Sequence, residues 1–292
     1  MSNVNYYLYD VMGLKCLCEI PFAITIQKEA KEFLHPVQDA GAFPCHINYT
    51  VRFEETNQLE PVAEDAYFTS DRFFHRGQNG LTVHYCPAPG RPPYACMHWI
   101  DDASTSVCQY LHGSEERMLY SRCISDLIGM ETLFLRFTGL MLHASFIRWN
   151  GHGILFSAPS GTGKSTQANL WEKYEGAEIL NGDRAGLRKT DGKWIAYGLP
   201  YAGSSGIYRN ESAELSMIIV LGQAQENRIR RLSVAEALRK LYPETFIHHW
   251  DKCFVDMAAQ QMLSLLNERP VYSLDCLPNQ EAVQLAKYTL LG

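Results

Sequence analysis

The chain has 292 residues, of which 46% are hydrophobic and 20% charged, enough apolar material for one large or two modest folded domains and too little charge bias for a disordered chain. Its formal net charge of -6 argues against a nucleic-acid partner, because binding phosphates needs clustered Lys and Arg; the one short basic cluster, Arg228-Ile229-Arg230-Arg231, reads as a solvated strand end. The opening MSNVNYYLYDVMGLKC has no basic region followed by an apolar core, and no run of ~18 apolar residues follows it, so the expectation is a cytoplasmic protein without a membrane partner.

The first ~115 residues read as short strands divided by turns. RFFHRGQNGLTVHYC carries a hairpin signal at Asn79-Gly80, and APGRPPYACMHWID is a Pro-rich turn running into a further strand. Cys16 and Cys18, two apart, would share one face of a strand. The nine Cys are odd in number and scattered, which fits buried thiols in a reducing compartment. His248, His249 and Cys253 lack a second ligand pair at metal spacing, so no zinc site is read there. A helix is predicted over 114–137, with Glu115 and Glu116 at its positive end and Leu119, Cys123, Leu127 and Ile128 on one face.

Beyond it, strands and helices alternate. LMLHASFIRW turns through Asn150-Gly151 into GILFSA, a loop follows, and a helix is expected from Lys164 to about Tyr174. The strand AEIL, the loop NGDR and a hairpin through Thr190-Asp191-Gly192 come next. LSMIIVLG reads as a central strand, and Ser233 with Glu236 forms a capping box for VAEALRKLY. A helix over about 250–267, the strand VYSLDC and a closing helix capped by Asn279 complete the chain. The expected organisation is a β-rich domain over 1–115, a connecting helix over 116–137 and an α/β (α+β) catalytic domain over 138–292.

The chemistry concentrates in SAPSGTGKST. Ala158-x-x-x-x-Gly163-Lys164-Ser165 matches the phosphate-loop pattern except at its first position, where Ala is tolerable if its φ is negative. Consecutive N–H groups over Ser160, Gly161, Thr162 and Gly163 would form an anion nest, completed by the N-terminus of the following helix at Lys164, Ser165 and Thr166. Lys164 is a point charge for the β- and γ-phosphates, and the Ser165 hydroxyl can reach Mg²⁺, so ATP and Mg²⁺ are the expected cofactors. Asp183, nineteen residues after Lys164 at the end of the next strand, can serve as a metal ligand or accept the proton of an incoming hydroxyl; its alternative is a turn-forming role in Asn-Gly-Asp. His143, fifteen residues before Ala158 on the adjacent strand, comes level with the loop if the two strands return antiparallel, and its alternative is a hydrogen-bonded core residue.

LHASFIRWNGHGILFSAPSGTGKST…ILNGDR resembles the C-terminal catalytic domain of HPr kinase/phosphorylase and HPr-kinase-related proteins, a group placed with the phosphoenolpyruvate carboxykinases. The similarity covers about 138–290 and is specific around the loop. It implies a P-loop kinase fold in which Lys164 and Ser165 hold phosphate and Mg²⁺, His143 lies at the reacting end, and Asp183 is a metal ligand or base. The family carries two adjacent Asp residues before its Arg. Here Gly182-Asp183-Arg184 supplies one, which leaves His143 as a candidate base. The stretch 198–210, GLPYAGSSGIYRN, is the expected substrate-facing loop, with Tyr201, Gly203, Ser204 and Arg209 its candidates; an ordinary surface loop is the alternative.

The sequence thus predicts an ATP-dependent kinase acting on a hydroxyl, a Ser of a peptide or small protein, with the β-rich half recognising the acceptor. A small-metabolite kinase and a catalytically impaired ATP-binding module are the alternatives. Homo-oligomers are compatible with the resemblance, which covers one domain and does not transfer an interface.

Overall fold

Strict period-2 burial sets the first part of the chain: Tyr7, Tyr9 and Val11 alternate inward on one strand, and Ser106, Cys108 and Tyr110 on another. The computed structural model describes residues 4–38, 46–201 and 203–291. The chain folds as two compact units, Met1–Met130 and Glu131–Gly292, joined in a mixed α/β protein with two large sheets.

In the first unit the strands are β1 (Asn5–Val11), β2 (Leu14–Ile20), β3 (Leu34–Val37), β4 (Tyr49–Thr56), β5 (Tyr67–Thr69), β6 (Arg72–Arg76), β7 (Gly80–Tyr85), β8 (Ala95–Ile100) and β9 (Thr105–Leu111). They form one sheet in the order β3-β1-β2-β4-β9-β8-β7-β6-β5, parallel at β2–β4 and β4–β9 and antiparallel elsewhere. The turn at Asn79-Gly80 closes the β6–β7 hairpin, with Arg76 opposite Leu81. Cys16 and Cys18 are both buried on β2.

The single helix expected over 114–137 is instead three pieces: a 3₁₀ turn at Glu115–Met118, α1 (Ser121–Ile128) and α2 (Met130–Arg136). Tyr120, extended at φ -118° and ψ 142°, parts the 3₁₀ turn from α1, and Gly129, whose φ of 66° places it in the left-handed region, caps α1. Periodicity of the apolar face ran across this break because both helices bury residues. The boundary between the two units falls one residue later.

The second unit contains β10 (Gly139–Trp149), β11 (His152–Ser157), α3 (Lys164–Glu175), β12 (Glu178–Asn181), β13 (Arg184–Thr190), β14 (Lys193–Gly198), β15 (Ser212–Gln223), β16 (Arg228–Arg231), α4 (Val234–Leu241), α5 (Lys252–Glu268), β17 (Val271–Cys276) and α6 (Gln280–Leu291). β11 pairs antiparallel with β10 on one edge and parallel with β15 on the other. With β10–β13, β13–β14 and β14–β15 pairs, the ladder closes on itself, and β17 and β16 extend it beyond β15. Alternation along β15 feeds two cores. Ile218 and Val220 pack with Phe254, Ala258 and Met262 of α5, whereas Met217, Ile219 and Leu221 pack with Trp171 of α3 and Val283 of α6. The result is a sheet covered by helices on both faces, which explains why its strands read as continuous apolar runs. The predicted capping box of α4 is present, Asn279 accepts from the Ala282 N–H at the start of α6, and the basic cluster is the exposed strand β16.

Among the described residues no helix is long and apolar enough to cross a membrane. The eight described cysteines are free thiols, five of them buried.

Candidate active site

The site is assembled where β11 ends. The strand runs to Ser157, the glycine-rich loop follows, and α3 starts directly at Lys164. Gly161 and Gly163 have φ of 80° and 121°, which an L side chain adopts only with strain, and a Cβ built on either would meet nothing within 4 Å. The loop therefore curls by glycine geometry and faces open space. Ala158 is buried and is not among the residues with positive φ, so the departure from glycine at that position costs nothing in backbone terms. The Lys164 side chain folds back over the loop, its Nζ donating to the Ala158 carbonyl at 2.7 Å. Burial draws this ammonium below its usual range, and the charges of Glu244 and Asp183 pull the other way.

β10 carries His143 to the same end. Ala144 pairs with Ser157, and the Ser157 hydroxyl donates to the His143 carbonyl at 3.0 Å, so the return through Asn150-Gly151 brings His143 level with the loop. Asp183 arrives from the corner between β12 and β13. The turn there is made by Asn181, whose side-chain oxygen accepts from the N–H groups of Asp183 and Arg184, both at 2.8 Å. Asn181 takes the turn-forming role and leaves the Asp183 carboxylate free to face His143, with Oδ1 3.6 Å from Nε2.

A further carboxylate completes the group. Glu244 lies in a short 3₁₀ turn after α4, and the next residues are tied to β10: Thr245 bridges Leu142, and the Phe246 N–H donates to the Met141 carbonyl at 2.9 Å. That registry sets Glu244 Oε2 2.9 Å from His143 Nδ1, with the Glu244 side chain only 13% exposed. The imidazole thus stands between two carboxylates. Nδ1 is the nitrogen facing Glu244, and Nε2 the nitrogen facing Asp183.

Of the four candidates in the 198–210 stretch, two reach this group and two do not. Gly203 abuts Asp183: a Cβ at Gly203 would come within 2.7 Å of the Asp183 Cβ, so only glycine fits there. Tyr201 stacks on Arg184, whose guanidinium lies 4.4 Å from the Tyr201 ring and 4.3 Å from the Phe246 ring, and 3.4 Å from Asp183 Oδ2. Ser204 is exposed in a short 3₁₀ turn. Arg209 pairs instead with Glu211, which also holds Arg148. The cation beside Asp183 is Arg184, visible in the sequence only as part of the Gly-Asp-Arg match and not among the site candidates.

On the other flank of the loop lies a cavity of about 580 Å³, lined by Thr162, Thr166 and Gln167, by Leu221–Gln225 at the end of β15, and by Cys276–Pro278 at the end of β17. Gln167 is 3% exposed; its Nε2 donates to Cys276 Sγ at 3.2 Å, and its Oε1 has no partner. An unpaired buried amide oxygen beside a cavity is a place for a ligand donor. None of the residues beyond Gln167 could be read as site residues from the sequence, because the loop and the two strand ends meet only in three dimensions.

No family model and no curated protein matches the chain. Among solved structures it is similar to the Hpr(Ser) kinase/phosphatase from Coxiella burnetii, with a TM-score of 0.31 and 12% identity, over 52% of this chain and 93% of that one.

Proposed function

We propose that the chain is an ATP- and Mg²⁺-dependent kinase that transfers a γ-phosphoryl group to a hydroxyl, a Ser of a peptide or small protein. The observation that carries this reading is the His143 imidazole held between Asp183 and Glu244 beside a glycine loop with a buried lysine.

The residues fit the groups the reading requires. Gly161 and Gly163 supply the positive φ that curls the loop and leave open space beside it, Lys164 supplies positive charge, and the cavity with its unpaired Gln167 oxygen offers room for a nucleoside. Ser165 and Asp183 are hard oxygen donors suited to Mg²⁺, which when bound would neutralise phosphate charge. In the neutral Nδ1–H tautomer, with Nδ1 donating to Glu244, the Nε2 of His143 would accept the proton of the acceptor hydroxyl as the oxygen attacks phosphorus. Asp183 is then free for the metal, and the carboxylate missing at Gly182 is supplied from Glu244, which acts by fixing the imidazole. Lys164 returns from the Ala158 carbonyl to the departing β-phosphate oxygens, where charge accumulates. Arg184, clamped by Tyr201 and Phe246, holds Asp183 in place.

The test is incubation with γ-labelled ATP and Mg²⁺ against Ser-containing peptides, small proteins and hydroxyl metabolites. Label on a peptide or protein Ser is the expected result. Transfer only to a metabolite overturns the acceptor assignment, and tight ATP binding with no transfer to any acceptor overturns the kinase reading.

A further inference from the structure

The first unit gathers a separate set of donors that the loop chemistry does not use. Cys96 and His98 stand two apart on β8, so both project from one face of the sheet. On β7 the partner positions are His84, opposite Cys96, and Thr82, opposite His98. The segment after β4 brings Glu60 to this face. Its carbonyl lies 3.0 Å from His84 Nε2, and its carboxylate lies 3.7 Å from His98 Nδ1. One sulfur, one imidazole nitrogen and one carboxylate oxygen, from Cys96, His98 and Glu60, fall within 4.8 Å of one another.

We propose that Glu60, Cys96 and His98 form a zinc site, with water in the fourth position. Bonds of about 2.0–2.3 Å at tetrahedral angles require ligand atoms about 3.3–3.8 Å apart; Glu60 and His98 already stand at 3.7 Å, and the other pairs lie within 4.8 Å. The donors select the metal: thiolate and imidazole suit Zn²⁺ and disfavour Mg²⁺ or Ca²⁺, which want oxygen alone. His84 acts as a positioning residue, since its ring N–H on the Glu60 carbonyl pins that segment over the face. Cys96 is fully buried, and burial followed by the Glu60 charge keeps its thiol protonated in the free protein. On binding, the thiol proton passes to solvent and the sulfur bonds the ion. Glu55, His112 and Glu115 form a second cluster, but all are exposed or half-buried and none carries sulfur, so they serve as the control.

The experiment uses the full chain stripped with a chelator and titrated with Co²⁺ as a spectroscopic substitute, then with Zn²⁺, in the absence of nucleotide. We expect one equivalent of Co²⁺ with a thiolate-to-cobalt charge-transfer band, displaced by Zn²⁺. Cys96→Ser should abolish the band, and His98→Gln and Glu60→Gln should each weaken Zn²⁺ binding at least about tenfold. Cys253→Ser, which removes an exposed thiol, and His112→Gln should change nothing. Circular dichroism checks that the Cys96 variant folds; if it does not, Glu60→Gln at its half-exposed side chain decides the matter. The proposal is overturned if the wild type takes up no stoichiometric ion, if the band survives Cys96→Ser or disappears in Cys253→Ser, or if Glu60→Gln binds as the wild type does.

Discussion

The two flanks of the glycine loop differ in kind. One is charged, with Lys164, His143, Asp183 and Glu244 converging on the end of β11 and β10. The other is a neutral cavity whose polar content includes Thr166, the Gln167 amide and the Cys276 thiol. Charges within a few ångströms of one another in a partly desolvated place interact strongly and are costly to assemble, so a fold keeps them where charge must be moved or neutralised. A neutral, roomy cavity suits shape-selective binding. Under the proposed function, phosphoryl chemistry falls to the first flank and nucleoside selection to the second, and substitutions should separate the two.

The largest effect is expected at the loop itself. Lys164→Ala removes the one cation folded into the loop, and calorimetry should find nucleotide binding and turnover both lost; retained binding would break the division at its centre. Next come the carboxylates of the charged flank. Asp183→Asn should cut transfer by about a hundredfold or more, and Glu244→Gln by about tenfold, while nucleotide Kd measured without metal stays within twofold for both. Equal losses in Kd would merge the flanks. On the neutral flank, Ala224→Trp should fill part of the cavity and raise the ATP Kd about tenfold, ~1.4 kcal/mol, with inorganic tripolyphosphate bound as before. Weakened tripolyphosphate binding would show that the cavity does more than select the nucleoside.

How much of this was legible follows from what is local. The strand, loop and helix around Lys164 are adjacent in sequence and were readable, as were the turns at Asn150-Gly151 and Thr190-Asp191-Gly192, which close hairpins in the structure. His143 was reachable because a hairpin of known length fixes its register. Glu244 was not: it stands 101 residues from His143, and its place depends on Thr245 and Phe246 pairing with β10, which no local pattern announces. Arg184 was visible in the Asp-Arg pair but gave no sign that Tyr201 and Phe246 would clamp it. The break at Gly129 was hidden because a single glycine within an apolar periodicity is ambiguous between an interior position and a cap. In the first unit, cysteines and histidines scattered along the sequence gave no motif, because Glu60 joins Cys96 and His98 only through sheet register and a long connection.

The smallest effect lies outside both flanks and calibrates them. Ser233→Ala removes the capping bond of α4 and should lower Tm by about 2–4 °C with transfer unchanged. The Arg230 guanidinium and the Ser233 backbone and hydroxyl hold Glu236 at about 2, below its ordinary 4.5. A depressed carboxyl stabilises the fold above about 4.5, and that contribution should fade as pH falls toward about 2, with a shallower acid dependence of Tm in Glu236→Gln. An effect of Ser233→Ala on transfer would show that α4 governs the site through Glu244, which follows it in the chain.

The central claim is that His143, oriented by Glu244, takes the acceptor's proton. Its most direct test is single-turnover transfer of labelled phosphate by His143→Asn at saturating ATP and Mg²⁺, with ATP affinity measured in parallel. The account predicts wild-type affinity and transfer slowed by about 10²–10⁴. Transfer at the wild-type rate would contradict it.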